Sequence, residues 1–441
     1  MPVNEILALC MIGAFFLLLL GGVPVAICLG ATGLVFGYAG FGPMLFSLLP
    51  ARIYGVITNY TLLALPLFIF MGIMLERSKI AENLLEVIGL AMGGLRGGMA
   101  LAIILVGVLM GAASGVVGAT VVTVGLIALG PIIRRGYDTG VASGVICASG
   151  TLGQIIPPSL VLILLGDIMG ESVGTLFAAA LIPGLMLSGL FIGYVLLLGI
   201  FKPASVPAIP QDERAQYTRA DIAMKLLRVV LPPIALIVLV LGSIIGGIAA
   251  PTEAASMGAF GSIVLAAFSG RLSWPVLRDT VRGAFVTSAM VFLILIFAQP
   301  FGLAFRGLGG ERLVQDAFAA VPGGLNGQIA FLMLLLFVLG FFLEWIEISY
   351  IALPLFLPIF HAAGADMAWI SILVAVNLQT SFLTPPFGWA LFFLKGVAPP
   401  SVKTSDIYRG VIPFIGLQLL ALALVFFFPQ LATWLPNAIG W

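Results

Sequence analysis

Two short stretches, "GQIIPPSL" at 153–160 and "SFLTPPFG" at 381–388, decide how this chain folds. Each places two adjacent prolines inside a long apolar run. A proline pair removes two backbone N–H donors and clashes with the preceding helical turn. The sequence therefore predicts two helices, at 138–166 and 367–394, that break at their prolines and leave backbone carbonyls free.

The composition of the chain around these breaks is that of a membrane protein. It has 441 residues, of which 61% are hydrophobic and only 8% are charged. A soluble domain carries roughly 25% charged residues, so we predict a protein that crosses the bilayer many times. The net charge of +1 gives no indication of a nucleic-acid partner. No phosphate-binding GxxxxGK[ST] loop occurs, and nothing in the sequence favours an enzyme.

Landmarks of the sequence recur in the same order at nearly constant spacing. "GGLRGG" at 93–98 is answered by "GGLNGQ" at 323–328. "GYD" at 136–138 is answered by "GAD" at 364–366, and the proline pair at 157–158 by the pair at 385–386. The alternative is chance recurrence in a glycine-rich chain. Internal repeats of this size are typical of secondary transporters.

The charges of the loops indicate that the two repeats are inverted. Arg134 and Arg135 follow the first repeat's long apolar stretch, whereas the equivalent loop at 360–365 has neither lysine nor arginine. In the next pair of equivalent loops the excess of basic residues is in the second repeat. The loop at 166–175 has no basic residue, and the loop at 395–409 has three. Basic loops are cytoplasmic by the positive-inside rule. Equivalent loops therefore lie on opposite faces, and both termini are predicted to lie outside.

Two stretches, 98–133 and 328–360, are too long for one span of about 20 residues. For the loops that follow to lie on their predicted faces, the chain must enter and leave the membrane on the same side in each stretch. The small, polar middle of the first stretch favours a re-entrant hairpin over two crossings. Non-helical backbone at membrane depth is tolerated where it is buried in protein or lines a cavity.

Three acidic residues and one arginine are the charged candidates for a functional role. Glu344 and Glu347 are three residues apart and are predicted to share a helix face near the tip of the second hairpin. Cation coordination, proton coupling and a structural bond to backbone N–H groups all stay open for them. Glu253 follows Pro251 and is predicted to cap a helix. Arg52 lies just ahead of an outer-facing span, where it would receive an anion, anchor a subunit or be a plain interfacial arginine.

Five stretches, spread in order over nearly the whole chain, resemble the large membrane (M) subunit of tripartite ATP-independent periplasmic (TRAP) transporters: "LALPLFIFMGIMLERS" (63–78), "GAASGVVGATVVTVG" (111–125), "GQIIPPS" (153–159), "PTEAA" (251–255) and "TPPFG" (384–388). A further stretch, "FFLEWIEISYIALPLF" at 341–356, resembles the mannitol/chloroaromatic-like branch of that family. Members of that branch take 2-oxo, hydroxy or aromatic acids.

The resemblance implies an all-α, elevator-type importer of the ion-transporter superfamily in the bacterial inner membrane. It implies Na⁺ as the coupling ion, no organic cofactor, and an organic acid delivered by a soluble periplasmic binding protein (P subunit). A small four-helix Q membrane subunit is the other expected partner. The chain has no room for a fused Q subunit ahead of residue 55, so we expect Q to be a separate polypeptide. A stand-alone Na⁺/H⁺ or anion antiporter of the same fold is the alternative.

The predicted organisation has four parts: N-terminal scaffold helices at 1–54, a first inverted repeat at 55–200, a cytoplasmic linker with scaffold helices at 201–282, and a second inverted repeat at 283–441. The resemblance further implies a Na⁺ site between each hairpin tip and the neighbouring discontinuous helix. The expected Na⁺ ligands are Ser114, Gly150, Thr151, Ser159, Glu344, Glu347, Thr380 and Thr384. The expected substrate contacts are Arg52, Ser114, Pro157, Pro158, Asn377, Ser381, Pro385 and Pro386. Because Val116 and Val117 follow Gly115, backbone carbonyls are expected to contribute more to the first Na⁺ site.

Overall fold

The computed structural model describes residues 3–210 and 218–441, apart from the side chains of Ala113, Ser114 and Arg219. Residues 211–217 of the predicted linker are outside the described part. The described α-helices are α1 Val3–Leu20, α2 Val25–Phe41, α3 Met44–Ile57, α4 Ala64–Arg77, α5 Ile80–Met92, α6 Gly98–Ser114, α7 Val117–Val124, α8 Gly130–Arg134, α9 Thr139–Thr151, α10 Leu160–Met169, α11 Val173–Phe201, α12 Arg219–Val229, α13 Leu231–Ile245, α14 Pro251–Phe268, α15 Trp274–Gly307, α16 Gly310–Ala319, α17 Gly324–Leu339, α18 Trp345–Ile351, α19 Leu353–Ala362, α20 Met367–Leu383, α21 Trp389–Val397, α22 Thr404–Phe427 and α23 Gln430–Ala438.

The length and hydropathy of these helices confirm a polytopic membrane protein. Within the described residues, six helices are long and apolar enough to cross a bilayer, and there are up to eight spans if each of two bent pairs counts as one. The bent pairs are Met44–Ile57 with Thr61–Arg77, at 54°, and α18 with α19, at 51°. The chain is therefore an all-α membrane protein whose helices are often interrupted.

Two helical hairpins occur where the sequence has its overlong apolar stretches. In the first hairpin (α6 to α8) the chain turns at Gly115, whose φ of 60° is in the left-handed region that favours glycine. A π-helical turn at Gly125–Leu129 joins α7 to α8. In the second hairpin (α17 to α19) the chain leaves its helix at Gly340 and becomes helical again at Trp345. Both tips are thus non-helical backbone within otherwise apolar helices.

The repeat detected in the sequence is also a repeat of local structure. Asp138 caps α9 by accepting a hydrogen bond from the Val141 N–H at 3.0 Å. Asp366, at the equivalent position of the second repeat, caps α20 in the same way by accepting from the Trp369 N–H at 2.9 Å. Such caps satisfy backbone donors that the first helical turn leaves free. Both discontinuous helices therefore begin with the same residue type in the same role.

The hairpins and discontinuous helices of the two repeats interlock. The outgoing limbs pack within their own repeat, α6 on α9 and α17 on α20. The returning limbs cross over, so that α7 packs on α21 while α18 and α19 pack on α10. Gly118 of α7, for example, lies against the Phe393 ring of α21. These elements form one body, which we call the core bundle.

The remaining long helices form a second layer beside the core bundle. α15 packs along α2 and α4, and α14 packs along α4. The contact between α2 and α15 is close, because a Cβ atom on Gly33 would lie 2.4 Å from the Phe301 amide nitrogen. Small residues allow such close approach of membrane helices. We call α1 to α4 together with α14 and α15 the scaffold.

Loops that the sequence assigns to one face meet one another in the structure. On the predicted cytoplasmic side, the Asp138 N–H donates to the Ser205 carbonyl at 3.0 Å. On the opposite side, burial and the neighbouring Asp366 carboxylate raise the pKa of Glu171, whereas His361 lowers it. Glu171 follows α10, and both His361 and Asp366 lie near the connection between α19 and α20. The grouping of the loops is the one that inverted repeats require.

Candidate functional site

The first helix break is fully enclosed by protein. α9 ends at Thr151, a 3₁₀ turn covers Leu152–Gln154, and α10 begins at Leu160. The Ser159 hydroxyl donates to the Gln154 carbonyl at 2.6 Å, so it is used within the break itself. Pro157 and Pro158, which were predicted to contact substrate, are both buried. Neither proline lines the glutamate cavity described below.

The first hairpin packs against this break at van der Waals distance. A Cβ atom on Gly111 would lie 2.6 Å from the Gly153 Cα atom, and one on Gly150 would lie 2.3 Å from a Val121 methyl group. The predicted site residues Gly150 and Thr151 are therefore brought against the hairpin. The side chain of Ser114, predicted to bind both Na⁺ and substrate, is outside the described part of the structure.

The second helix break is partly open. α20 ends at Leu383, α21 begins at Trp389, and Pro386 between them is exposed. The Thr384 hydroxyl donates to the Thr380 carbonyl at 2.7 Å, and the Ser381 hydroxyl donates to the Leu378 carbonyl at the same distance. A hydroxyl that donates one hydrogen bond still has lone pairs to offer a cation.

Asn377, predicted to contact substrate, has a structural partner in the second hairpin. Its side-chain amide donates to the Met333 carbonyl at 2.7 Å and so ties α20 to α17. Asn377 is 2% exposed, so no surface of it is available to a solute in this arrangement. The amide is used because a buried polar group is costly unless it finds a hydrogen-bond partner in the protein around it.

A cavity of about 560 Å³, which we call the glutamate cavity, separates the scaffold from the second break. Its walls come from the connection between α1 and α2, from the middle of α15, from the second hairpin tip and from the start of α21. The residues that define its character are Glu344, Glu347, Phe341, Phe387, Trp389 and Phe392. The cavity thus combines two carboxyl groups with an aromatic wall.

The two glutamates reach this cavity from different backbone positions. Glu344 precedes α18 with extended backbone (φ −72°, ψ 163°), and Glu347 lies in the first turn of that helix. The prediction that they share a helix face is wrong, because the helix begins only after Glu344. Glu347 is 4% exposed, and its Oε2 atom has no hydrogen-bond partner within the described residues. A buried carboxylate oxygen without a partner is costly unless a cation or a donor comes to it.

Two polar groups that the sequence interpretation missed belong to these sites. The Trp389 indole N–H, at the wall of the glutamate cavity, is buried without a described acceptor. Both polar atoms of the Gln154 amide, at the first break, are also buried without a described partner. Gln154 stands inside the "GQIIPPS" motif itself, so its position next to the prolines was an available signal. Trp389 carried no signal, since tryptophans are common in apolar helices.

The structure does not bring Arg52 to the glutamate cavity. Arg52 was predicted to lie ahead of a span, but it lies within α3, which runs from Met44 to Ile57. It lines a separate cavity of about 310 Å³ together with Asp167, Arg306 and Tyr350. We call this space the arginine cavity. The sequence did not show α3 because Pro50 interrupts its apolar run, although a proline is accommodated inside this helix.

Glu253 has the role that its sequence neighbours predicted. Its Oε2 atom accepts a hydrogen bond from the Ala250 N–H at 2.9 Å, at the start of α14. The prediction of a helix N-terminal cap is confirmed. Glu253 is not part of either cavity.

The two repeats meet at Thr151 and Gln379, which occupy equivalent positions in the two discontinuous helices. The Gln379 amide donates to the Thr151 hydroxyl at 3.3 Å. The Gln418 amide of α22 donates to the same hydroxyl at 3.1 Å. All three side chains are fully buried. Thr151, predicted as a Na⁺ ligand, therefore joins both discontinuous helices in the centre of the core bundle.

Thr151→Val is expected to destabilise the protein because two buried amide donors lose their acceptor while the side-chain volume is kept. Each orphaned donor costs about 1–3 kcal/mol. The measurement is thermal unfolding in detergent. Thr32→Val is the matched control, since the described bonds of the buried Thr32 hydroxyl go to carbonyls of its own helix. Equal stability of the two variants would contradict the joining role of Thr151.

Comparisons with known proteins agree with the membrane fold described above. A family model described as "Tripartite ATP-independent periplasmic transporter, DctM component" matches residues 12–431. The C4-dicarboxylate TRAP transporter large permease protein DctM of Vibrio cholerae is 30% identical over 97% of this chain and 98% of its own. The protein of the same name from Pseudomonas aeruginosa is 31% identical over 91% of this chain and 92% of its own.

More distant comparisons extend the same pattern. The ectoine TRAP transporter large permease protein TeaC of Halomonas elongata is 28% identical over 96% of this chain and 98% of its own. The solved structure of the Alcanivorax borkumensis YdaH transporter covers 99% of both chains with a TM-score of 0.60 at 15% identity, a likeness of fold alone. These proteins are transporters and not enzymes, and the chain is a multi-pass protein of the bacterial inner membrane. It belongs to the DctM family, the large permease component of tripartite ATP-independent periplasmic transporters.

Proposed function

We propose that the chain moves a small organic acid inward across the membrane by coupling it to Na⁺. The observation that carries this proposal is the Oε2 atom of Glu347, buried at the wall of the glutamate cavity without a described partner. An ionised carboxylate in that position needs a cation, and oxygen donors suit small hard cations such as Na⁺. The Thr380 and Thr384 hydroxyls of the neighbouring break would supply further oxygen ligands.

The same cavity offers features that suit an organic anion. α21 begins beside it at Trp389, and the N-terminal end of a helix carries partial positive charge that attracts an anion. The Trp389 N–H, which has no described acceptor, supplies a donor. The aromatic wall would contact the apolar body of the acid. Relatives of this chain are named for C4-dicarboxylate, isethionate, sialic acid and ectoine, all small solutes with an acidic group.

Movement of the core bundle past the scaffold would give the alternating access that such transport requires. The interlocked hairpins and discontinuous helices are suited to move as one body. Two polar links join the bundle to the scaffold near opposite ends of α4. Thr123 of α7 donates to Glu76 of α4 at 2.6 Å, and Asn59, between α3 and α4, donates to Asp167 of α10. During an elevator movement these hydrogen bonds would break, and others between the bundle and the scaffold would replace them.

We expect this chain to need two partners. A small Q membrane subunit would cover part of the scaffold, and a periplasmic binding protein would deliver the acid from outside. Family membership supports both, because the family name describes a tripartite system with a periplasmic component. The alternative is a stand-alone Na⁺/H⁺ or anion antiporter of the same fold.

Reconstitution separates these two functions. Uptake of labelled organic acid into proteoliposomes is expected only when the chain, the small membrane subunit, the loaded binding protein and an inward Na⁺ gradient are all present. Replacing the Na⁺ gradient with an equal K⁺ gradient is the control for ion identity. Transport by the chain alone at the full rate would favour the antiporter and contradict the tripartite proposal.

A further inference from the structure

The arginine cavity is a second recess at the boundary between the scaffold and the core bundle. Arg52 of α3 and Arg306 of α15 reach it from the scaffold, and Asp167 of α10 and Tyr350 of α18 reach it from the bundle. Both arginines are exposed. Their guanidinium charges are near enough to repel each other. Two like charges at one recess are unfavourable unless an anion lies between or beside them.

Within the described residues, neither guanidinium is neutralised by an ion pair. The Arg306 Nε–H donates to the Gly302 carbonyl of its own helix at 3.2 Å. The Glu311 carboxylate attracts the Arg306 guanidinium but lies beyond ion-pair distance. Each guanidinium carries five N–H donors. Most of these donors therefore have no partner in the part of the chain that the structure describes.

The carboxylate at the wall of the cavity is already engaged. Asp167 accepts a hydrogen bond from the Asn59 amide on one oxygen. It accepts a second, from the Tyr350 hydroxyl, on the other oxygen at 2.9 Å. These neutral donors stabilise the carboxylate without removing its charge, and no described ion pair joins it to either arginine. The two arginines at this recess therefore outnumber its single carboxylate.

We propose that the two arginines form an outer binding site for the carboxylate of a small organic acid. Guanidinium groups bind carboxylates through paired, parallel N–H···O bonds. Gln299 is a further polar residue of the wall, and its amide donates to the Leu295 carbonyl. Phe301, Phe305 and Leu355 supply apolar surface that would contact a hydrocarbon body. A volume of about 310 Å³ lies at the lower end of the range for small-molecule sites. A monocarboxylic acid with an apolar body fits this combination of charge, wall and size.

The arginine cavity and the glutamate cavity are lined by neighbouring turns of the same two helices. On α15, Ile294 lines the glutamate cavity and Ala298 lines the arginine cavity. On α18 the corresponding residues are Glu347 and Tyr350. The two pairs are four and three residues apart, and each helical residue advances about 1.5 Å along the axis. The nearest walls of the two cavities are therefore about one helical turn apart. The outer site rests on the proposed function only for the nature of its anion.

Chemical protection of the arginines tests this site without any transport measurement. The full chain in nanodiscs of phosphatidylcholine is treated with phenylglyoxal, and modification of each arginine is followed by peptide mass spectrometry. Pyruvate at millimolar concentration is expected to slow modification of Arg52 and Arg306 severalfold, whereas chloride at equal ionic strength does not. Arg271, exposed at the other end of the scaffold, is the internal control and should react at an unchanged rate.

Variants connect the two arginines to one site. In Arg52→Gln, pyruvate is expected to lose its protection of Arg306, whereas Arg271→Gln leaves that protection intact. Equal slowing at all three arginines, or no slowing, would overturn the proposal. Protection that appears only in nanodiscs of phosphatidylglycerol would assign the pair to a lipid phosphate and would also overturn it. Because the assay needs neither Na⁺ nor a partner, its failure is distinguishable from failure of coupled uptake.

Discussion

Replacing Glu347 with glutamine is expected to abolish Na⁺-dependent uptake of the organic acid while the chain keeps its fold. Glutamine has nearly the same shape, so the hairpin tip is not emptied, but the negative charge at the glutamate cavity is lost. Loss of one partner of a buried charge pair costs about 2–5 kcal/mol. That corresponds to roughly a 30-fold or greater loss of Na⁺ affinity.

The measurement is a Na⁺ titration of uptake in proteoliposomes that contain the whole tripartite system. Glu253→Gln is the matched control, because Glu253 caps α14 away from both cavities and glutamine still offers the capping oxygen. We expect the control to keep wild-type Na⁺ activation. Unchanged activation in Glu347→Gln, together with a lower melting temperature, would assign Glu347 a structural role. Uptake driven equally by a pH gradient in the wild-type system would instead indicate proton coupling.

Gly111→Ala is expected to destabilise the protein, although alanine is the better helix former. The added methyl group would lie 2.6 Å from the Gly153 Cα atom. Backbone cannot move aside as a flexible side chain can, so the first hairpin must shift away from the first break. Overpacking of this kind costs about 1–3 kcal/mol. Thermal unfolding in detergent should show a lower melting temperature, and uptake should fall as well.

Gly189→Ala is the control for this substitution, with an expected effect of the opposite sign. Gly189 lies within α11, and nothing is found within 4 Å of a Cβ atom added there. Replacing a helical glycine by alanine in open space stabilises by roughly 0.5–1 kcal/mol. A Gly111→Ala variant that is as stable as Gly189→Ala would contradict the close packing of the hairpin on the break.

Much of the architecture could be predicted because it depends on local sequence. Proline pairs break helices wherever they occur, so both breaks were visible in the sequence. Asp138 and Asp366 cap helices through contacts with residues three positions away, and their matching places in the two repeats were visible for the same reason. The inverted sense of the repeats follows from loop charges, which are also a local property.

The parts of the sites that could not be predicted depend on contacts between distant segments. Arg306 and Arg52 line one cavity only because α15 and α3 pack together, and no local pattern indicates that arrangement. Glu344 lies just before its helix because the hairpin tip ends there, and a local pattern does not fix that boundary to within a single residue. Asn377 was predicted as a substrate contact, and only the packing of α17 shows that its amide is occupied.

The hydrogen bond between Thr151 and Gln379 has a consequence for the ancestry of the fold. Equivalent residues of the two halves that touch one another lie on the pseudo-twofold axis that relates the repeats. Had the repeats once been separate identical chains, this position would have faced its own copy across an isologous contact, and one residue would have had to serve as both donor and acceptor. Joining two such copies in one gene would remove that constraint. Each half could then specialise, one supplying a hydroxyl acceptor and the other an amide donor, at the point where the two meet.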